Sequence, residues 1–135
     1  MEILSKLFGE KFKKEFEIGG NKVVFQTLSK KEQLQASSVN AGGDMLYQFD
    51  AIKVPILARS IVSINGLGWE NCEEVKKIVA DKKENKLDIN LISIIEQVLG
   101  DMDGEIINAF YNHYLEIVDE HKKEVEKLKK ALPSQ

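Results

Sequence analysis

The chain has 135 residues, of which 43% are apolar and 30% charged, a balance that excludes a disordered polymer and fits one domain with a single core. Its formal net charge is −3 with both signs interspersed, so nothing in the overall charge favours nucleic acid or an anionic membrane. A single cysteine, Cys72, excludes an intrachain disulfide and any cysteine-rich zinc site.

The opening, MEILSKLFGEKFKKEF, lacks the basic start and continuous apolar core of a secretion signal. No window approaches the roughly 18 apolar residues that span a bilayer. These features predict a product that is soluble inside the cell that makes it. At the start, Ile3, Leu4, Leu7, Phe8 and Phe12 recur at helical spacing among lysines, and residues 1–11 are read as a short amphipathic arm that packs on its own protein or on a partner.

Residues 12–28 predict a β-hairpin. Phe16 and Ile18 alternate with Glu15 and Glu17, the period of a strand with one buried face. Gly19, Gly20 and Asn21 supply the positive φ angles of a tight reversal, and Val23, Val24 and Phe25 favour the returning strand. Two strands alone are marginal in water, so the hairpin is expected to lean on a helix or to extend a partner's sheet.

A helical core is expected over 29–117. Ser29-Lys-Lys-Glu32 fits a capping box, and Gly42-Gly43 reads as a hinge. From Asp44, apolar positions through Ile64 recur at three and four, predicting a helix of roughly five turns, kinked or split at Pro55 and ended by Asn65-Gly66. In that reading Arg59 lies beside the apolar stripe, covering core with its stem, and Leu67 and Trp69 re-enter the core. Asn71 and Glu74 repeat the capping pattern ahead of Val75, Ile78 and Val79. Leu87 through Leu99 predict a short, largely buried helix starting near Asp88 and stopped by Gly100. Asp101 or Asp103 can cap the last helix, about Glu105 to Leu132.

That helix carries a heptad seam: Ile107, Tyr111, Tyr114, Val118, His121, Val125, Leu128 and Leu132. Its aromatic first half belongs to the core. Its charged second half, within the extension 118–135, keeps a thin apolar stripe flanked by pairs such as Glu126 with Lys130. A stripe so narrow meets solvent or another helix. The fold class expected is therefore mainly α: a small helical domain with an N-terminal β-hairpin and a long C-terminal helix, all in a single domain, 1–135.

Catalytic patterns are absent from the sequence. His113 and His121 lie eight residues apart on one helix, too far along it to share an ion. Asp101-Met-Asp103-Gly104-Glu105 opens like a calcium loop but places its glycine at the fourth position and Asn112 at the twelfth. No serine sits in a nucleophile elbow, and the acids around Cys72 raise a thiol pKa. The reading is a protein that is not an enzyme and needs no cofactor or metal.

Three stretches occur in order: FEIGGNKVVFQTLSKKEQ, LARSIVSINGLGWE and GEIINAFYNHYLEIVDE. Together, over roughly residues 14 to 118, they resemble small proteins of tailed bacteriophages, the tail assembly chaperones and baseplate or hub assembly proteins. Pro55, the stretch 81–99 and the charged C-terminal extension depart from that pattern. The resemblance implies a non-enzymatic protein that binds tape-measure, tail-tube or baseplate subunits. It would act in the host cytoplasm during assembly, with or without being retained in the virion tail, and without engaging nucleic acid or membrane. The partner-binding residues expected are Leu4, Leu7 and Phe8 of the arm and Val118, His121, Val125, Leu128 and Leu132 of the seam. The seam equally suits a homo-oligomer, or a generic helical adaptor or regulator that self-associates through it.

Overall fold

The computed structural model describes residues 11–38 and 51–131. Strands β1 (Lys13–Ile18) and β2 (Asn21–Gln26) are followed by helix α1 (Lys30–Ser38), helix α2 (Lys53–Ser60) and strand β3 (Ile61–Ile64). A 3-10 turn (Trp69–Asn71) leads into helices α3 (Glu73–Glu84), α4 (Leu91–Gly100) and α5 (Gly104–Ala131). The molecule is mainly helical, with an N-terminal antiparallel sheet and a long C-terminal helix.

The hairpin forms where its residues predict. β1 and β2 pair from Lys13↔Gln26 to Ile18↔Asn21. The two linking glycines take φ +57° and +82°, the paired positive angles of the turn that matches strand twist. Phe16 and Phe25 face inward in edge-to-face contact, ring centroids 5.8 Å apart. The capping box of α1 closes as expected: the Glu32 N–H donates to Ser29 Oγ (3.2 Å), and the Ser29 N–H donates to Glu32 Oε1 (3.0 Å).

The stretch after Pro55 departs from expectation. α2 ends at Ser60, and Ile61–Ile64 is a third strand antiparallel to β2, so the hairpin completes its sheet with the chain's own residues. Ile61 and Ile64 fit helical spacing, but Ile-Val-Ser-Ile is also rich in β-branched side chains, which pack well on a pleated surface. The decisive factor is non-local: the peptide groups of Lys22 and Val24 need partners, and Asn65 and Ser63 stand opposite them. Asn65-Gly66 accordingly does not end a helix. Asn65 (φ +52°) and Gly66 (φ +80°) form a tight turn closed by the Leu67 N–H donating to the Ile64 carbonyl (3.0 Å). Pro55 lies in the first turn of α2, where amide groups have no intrahelical acceptor, and is tolerated there. Residues 44–50, the proposed start of that helix, and the Gly42-Gly43 hinge lie outside the described residues.

Three smaller corrections follow from packing. Leu67 is 51% exposed rather than buried, whereas Trp69 is buried as expected. The cap of α3 is Cys72, with no side-chain hydrogen bond; Asn71 is spent in the 3-10 turn. α4 starts at Leu91, with Asn90 Oδ1 accepting from the Ser93 N–H (3.1 Å). Leu87, Ile89 and Leu91 are therefore exposed, and the buried face of α4 is Ile94, Ile95 and Leu99. At α5 the alternative resolves to Asp103, whose Oδ1 accepts from the Glu105 N–H (2.8 Å).

The core lies between the sheet, α2, α4 and α5. Phe25, Leu57, Leu99 and Ile117 are wholly buried, and Phe110 meets Phe25 edge-on at 6.2 Å. Each such side chain stabilises the fold by about 1.5–3 kcal/mol relative to exposure.

Candidate functional site

The seam of α5 divides into two parts. Ile107 and Tyr114 are buried, and Val118 packs against the core from a half-buried position. Burial pushes the Tyr114 phenol up to about 12, with Tyr111 and Glu32 adding to the effect, as befits a core residue. His121 sits 6.2 Å from the Phe12 ring, and the adjacent Glu120 takes Lys14 Nζ at 2.6 Å. Thus β1, more than a hundred residues away in sequence, occupies this stretch of the helix. Of the residues expected to bind a partner, Val118 packs against the core and His121 meets Phe12, the residue just before β1.

Beyond His121 the stripe continues with Val125 and Leu128, both half-buried like Val118. Their flanks are solvated ion pairs: Lys123 with Asp119 at 3.3 Å and Lys129 with Glu126 at 3.4 Å. Glu126 thus engages Lys129, one position short of the expected Lys130. Leu4, Leu7, Phe8 and Leu132 lie outside the described residues.

His113 is a packing residue. Its ring lies 4.4 Å from that of Phe16 and 6.3 Å from that of Phe25. Nδ1 is buried without a hydrogen-bond partner, and Glu116 Oε1 approaches only to 4.0 Å. Arg59, singled out by the sequence, ties α2 to α4: Nη1 donates to the Pro55 carbonyl (2.9 Å) and stands 3.9 Å from Glu96 Oε2. Its side chain is only 11% exposed, so it is a structural link rather than a free cation.

An open groove of about 530 Å³ runs beside Leu67, Trp69, Cys72, Val98 and Met102. Cys72 lines it, its thiol pushed up first by burial and then by Glu74 and Glu70, and it therefore stays protonated at neutral pH. Among the described residues no group of three His, Cys, Asp or Glu side chains is arranged to hold a metal ion. None of the described helices is long and apolar enough to cross a membrane.

Comparison of the chain with protein-family models, curated proteins and solved structures finds no match. The functional reading therefore rests on the geometry and on the resemblance of the three sequence stretches.

One feature of the site was not legible in the sequence. The outer edge of β1 carries main-chain groups that face away from β2. The Thr27 N–H donates to the Phe12 carbonyl (2.9 Å), which fixes Phe12, Lys14, Phe16 and Ile18 as the positions bonded to β2. Lys13, Glu15 and Glu17 direct their N–H and C=O outward, and all three are exposed. The strand alternation gave the side-chain faces, but the direction of the peptide groups needed the register.

Proposed function

We propose that this protein is a non-enzymatic component of a bacteriophage tail or baseplate, binding tape-measure, tail-tube or baseplate subunits as the tail is built. The observation that carries the reading is the C-terminal stretch of α5. Past Val118, which packs on the core, and His121, which Phe12 meets, Val125 and Leu128 continue a partly exposed apolar stripe between ion pairs. A stripe of this width on a long helix matches the way amphipathic helices dock in grooves or against one another. The resemblance to tail assembly chaperones and baseplate assembly proteins supplies the class of partner.

Co-purification of the protein expressed from its native gene neighbourhood tests the reading. Tail structural proteins should accompany the wild type, and Val125→Glu should release them. Capture of tail proteins that is unaffected by Val125→Glu would remove the stripe from the account. Recovery of the protein with no tail component would overturn the phage reading and favour a generic adaptor that self-associates through the same stripe. Sedimentation of the two forms separates these cases, because only the adaptor loses mass on substitution.

A further inference from the structure

The outward face of β1 carries a charge order that recognises itself. In sequence, the odd positions read Lys11, Lys13, Glu15, Glu17: two positive charges followed by two negative. Lys13, Glu15 and Glu17 make no ion pair among the described residues. Their peptide groups are the ones directed away from β2, so donors, acceptors and charges lie along one edge that no described strand covers. Exposed edges of this kind are templates for another strand. Natural proteins commonly blunt them with charge, and charges of a single sign would repel any second copy. Here the sign changes midway, so an antiparallel copy meets opposite charge, whereas a parallel copy meets like charge.

We propose that β1 pairs antiparallel with β1 of a second copy, joining the two three-stranded sheets about a two-fold axis. The axis passes midway between the two copies' Lys14 residues. Lys13 then lies opposite the partner's Glu15, and Glu15 opposite the partner's Lys13. These positions exchange main-chain hydrogen bonds, as outward-facing residues of antiparallel strands do. The same register carries Glu17 toward the partner's Lys11, which is held in its own chain by Glu32 at 2.7 Å.

The two neighbouring registers would place Glu15 opposite the partner's Glu15, or Lys13 opposite the partner's Lys13, each a like-charge pair with no counterion of its own among the described residues. In the proposed register the residue beside the axis is Lys14, and each copy already neutralises it with Glu120 at 2.6 Å. The interface is isologous, as closed two-fold dimers require. Both α5 helices remain on one face of the joined sheet, because Lys14 and Phe16 hold α5 on the face opposite Lys13 and Glu15.

Charge exchange tests the pairing without disturbing the core, since Lys13 and Glu15 are exposed. Sedimentation velocity should show a dimer for the wild type. Lys13→Glu alone and Glu15→Lys alone each turn two attractive cross-strand pairs into repulsive ones, so each should raise the dissociation constant roughly tenfold or more. Mixing the two variants restores both attractions, and a mixed dimer should form. A monomeric wild type, single variants that dimerise as well as the wild type, or a mixture that stays monomeric would each overturn the proposal. So would a dimer that survives Lys13→Glu and is lost with Val125→Glu, which would assign assembly to α5. Failure of tail-protein capture leaves these outcomes unchanged, so the two readings fail separately.

Discussion

Along β3 the Ile61 carbonyl and both main-chain groups of Ile64 are already taken, while along β1 no described residue pairs with the outward-facing groups. The Trp69 indole N–H donates to the Ile61 carbonyl at 2.9 Å, and Leu67 exchanges two main-chain bonds with Ile64 at 2.9 and 3.0 Å. The segment after the Asn65-Gly66 turn thus folds back and covers the edge it has just made. β1 has no such segment among the described residues; its edge carries Lys13, Glu15 and Glu17 instead. One sheet therefore has one edge closed by hydrogen bonds from Leu67 and Trp69 and one that no described residue covers, with an ordered set of exposed charges. The difference separates an edge built for stability from an edge available for assembly.

The largest test of this contrast falls on Trp69. Trp69→Ala removes a buried ring and leaves the Ile61 carbonyl without its donor. We expect a loss of about 3–5 kcal/mol, read from urea unfolding. A loss below about 1 kcal/mol would show that the indole does not hold the β3 edge. A smaller effect is expected at the turn that sends the chain back. Gly66 takes φ +80°, and a Cβ there would meet nothing within 4 Å, so the cost of Gly66→Ala is backbone strain alone, about 1–2 kcal/mol. Faster amide exchange at Ile64 and Leu67 in that variant should accompany the loss, because the closing bonds of the turn are theirs.

The two Gly-containing turns also show where sequence reading succeeds. Gly19-Gly20 lies between two stretches that each favour a strand, so the hairpin, its turn and the buried face of Phe16 and Ile18 were legible from nearest neighbours, while the register was not. Asn65-Gly66 has the same local chemistry, yet it follows Ile61 and Ile64, which fit a helix as well as a strand. What decides between them is Lys22, whose N–H donates to Asn65 Oδ1 at 2.9 Å and whose carbonyl accepts from the Asn65 N–H at 2.7 Å. No local pattern contains that information. The middle of the seam shows the same non-local influence: Phe12 and Lys14 return from the start of the chain to meet His121 and Glu120. Capping was read correctly at Ser29 with Glu32, which acts over three residues, but not at Asn71, which the 3-10 turn takes up and Cys72 replaces.

The smallest expected effect lies at the open edge. Lys13→Ala and Glu15→Ala remove exposed side chains that make no ion pair among the described residues, and the main-chain bonds to β2 run through Phe12, Lys14, Phe16 and Ile18 instead. Each substitution should change the unfolding free energy by no more than about 0.5 kcal/mol when measured at concentrations where the chain is monomeric. A loss comparable with that of Trp69→Ala would mean that the edge is part of the fold's own support, and the contrast with β3 would collapse. A negligible change in the monomer joined to a rise in apparent stability with wild-type concentration is the pattern that mass action requires of an edge used between copies. The same concentration series on Glu15→Ala should be flatter, because one charge of each cross-strand pair is gone while the fold is intact. Stability and assembly are then separable along a single strand: the even positions hold β1 to its own molecule, and the odd positions hold it to another.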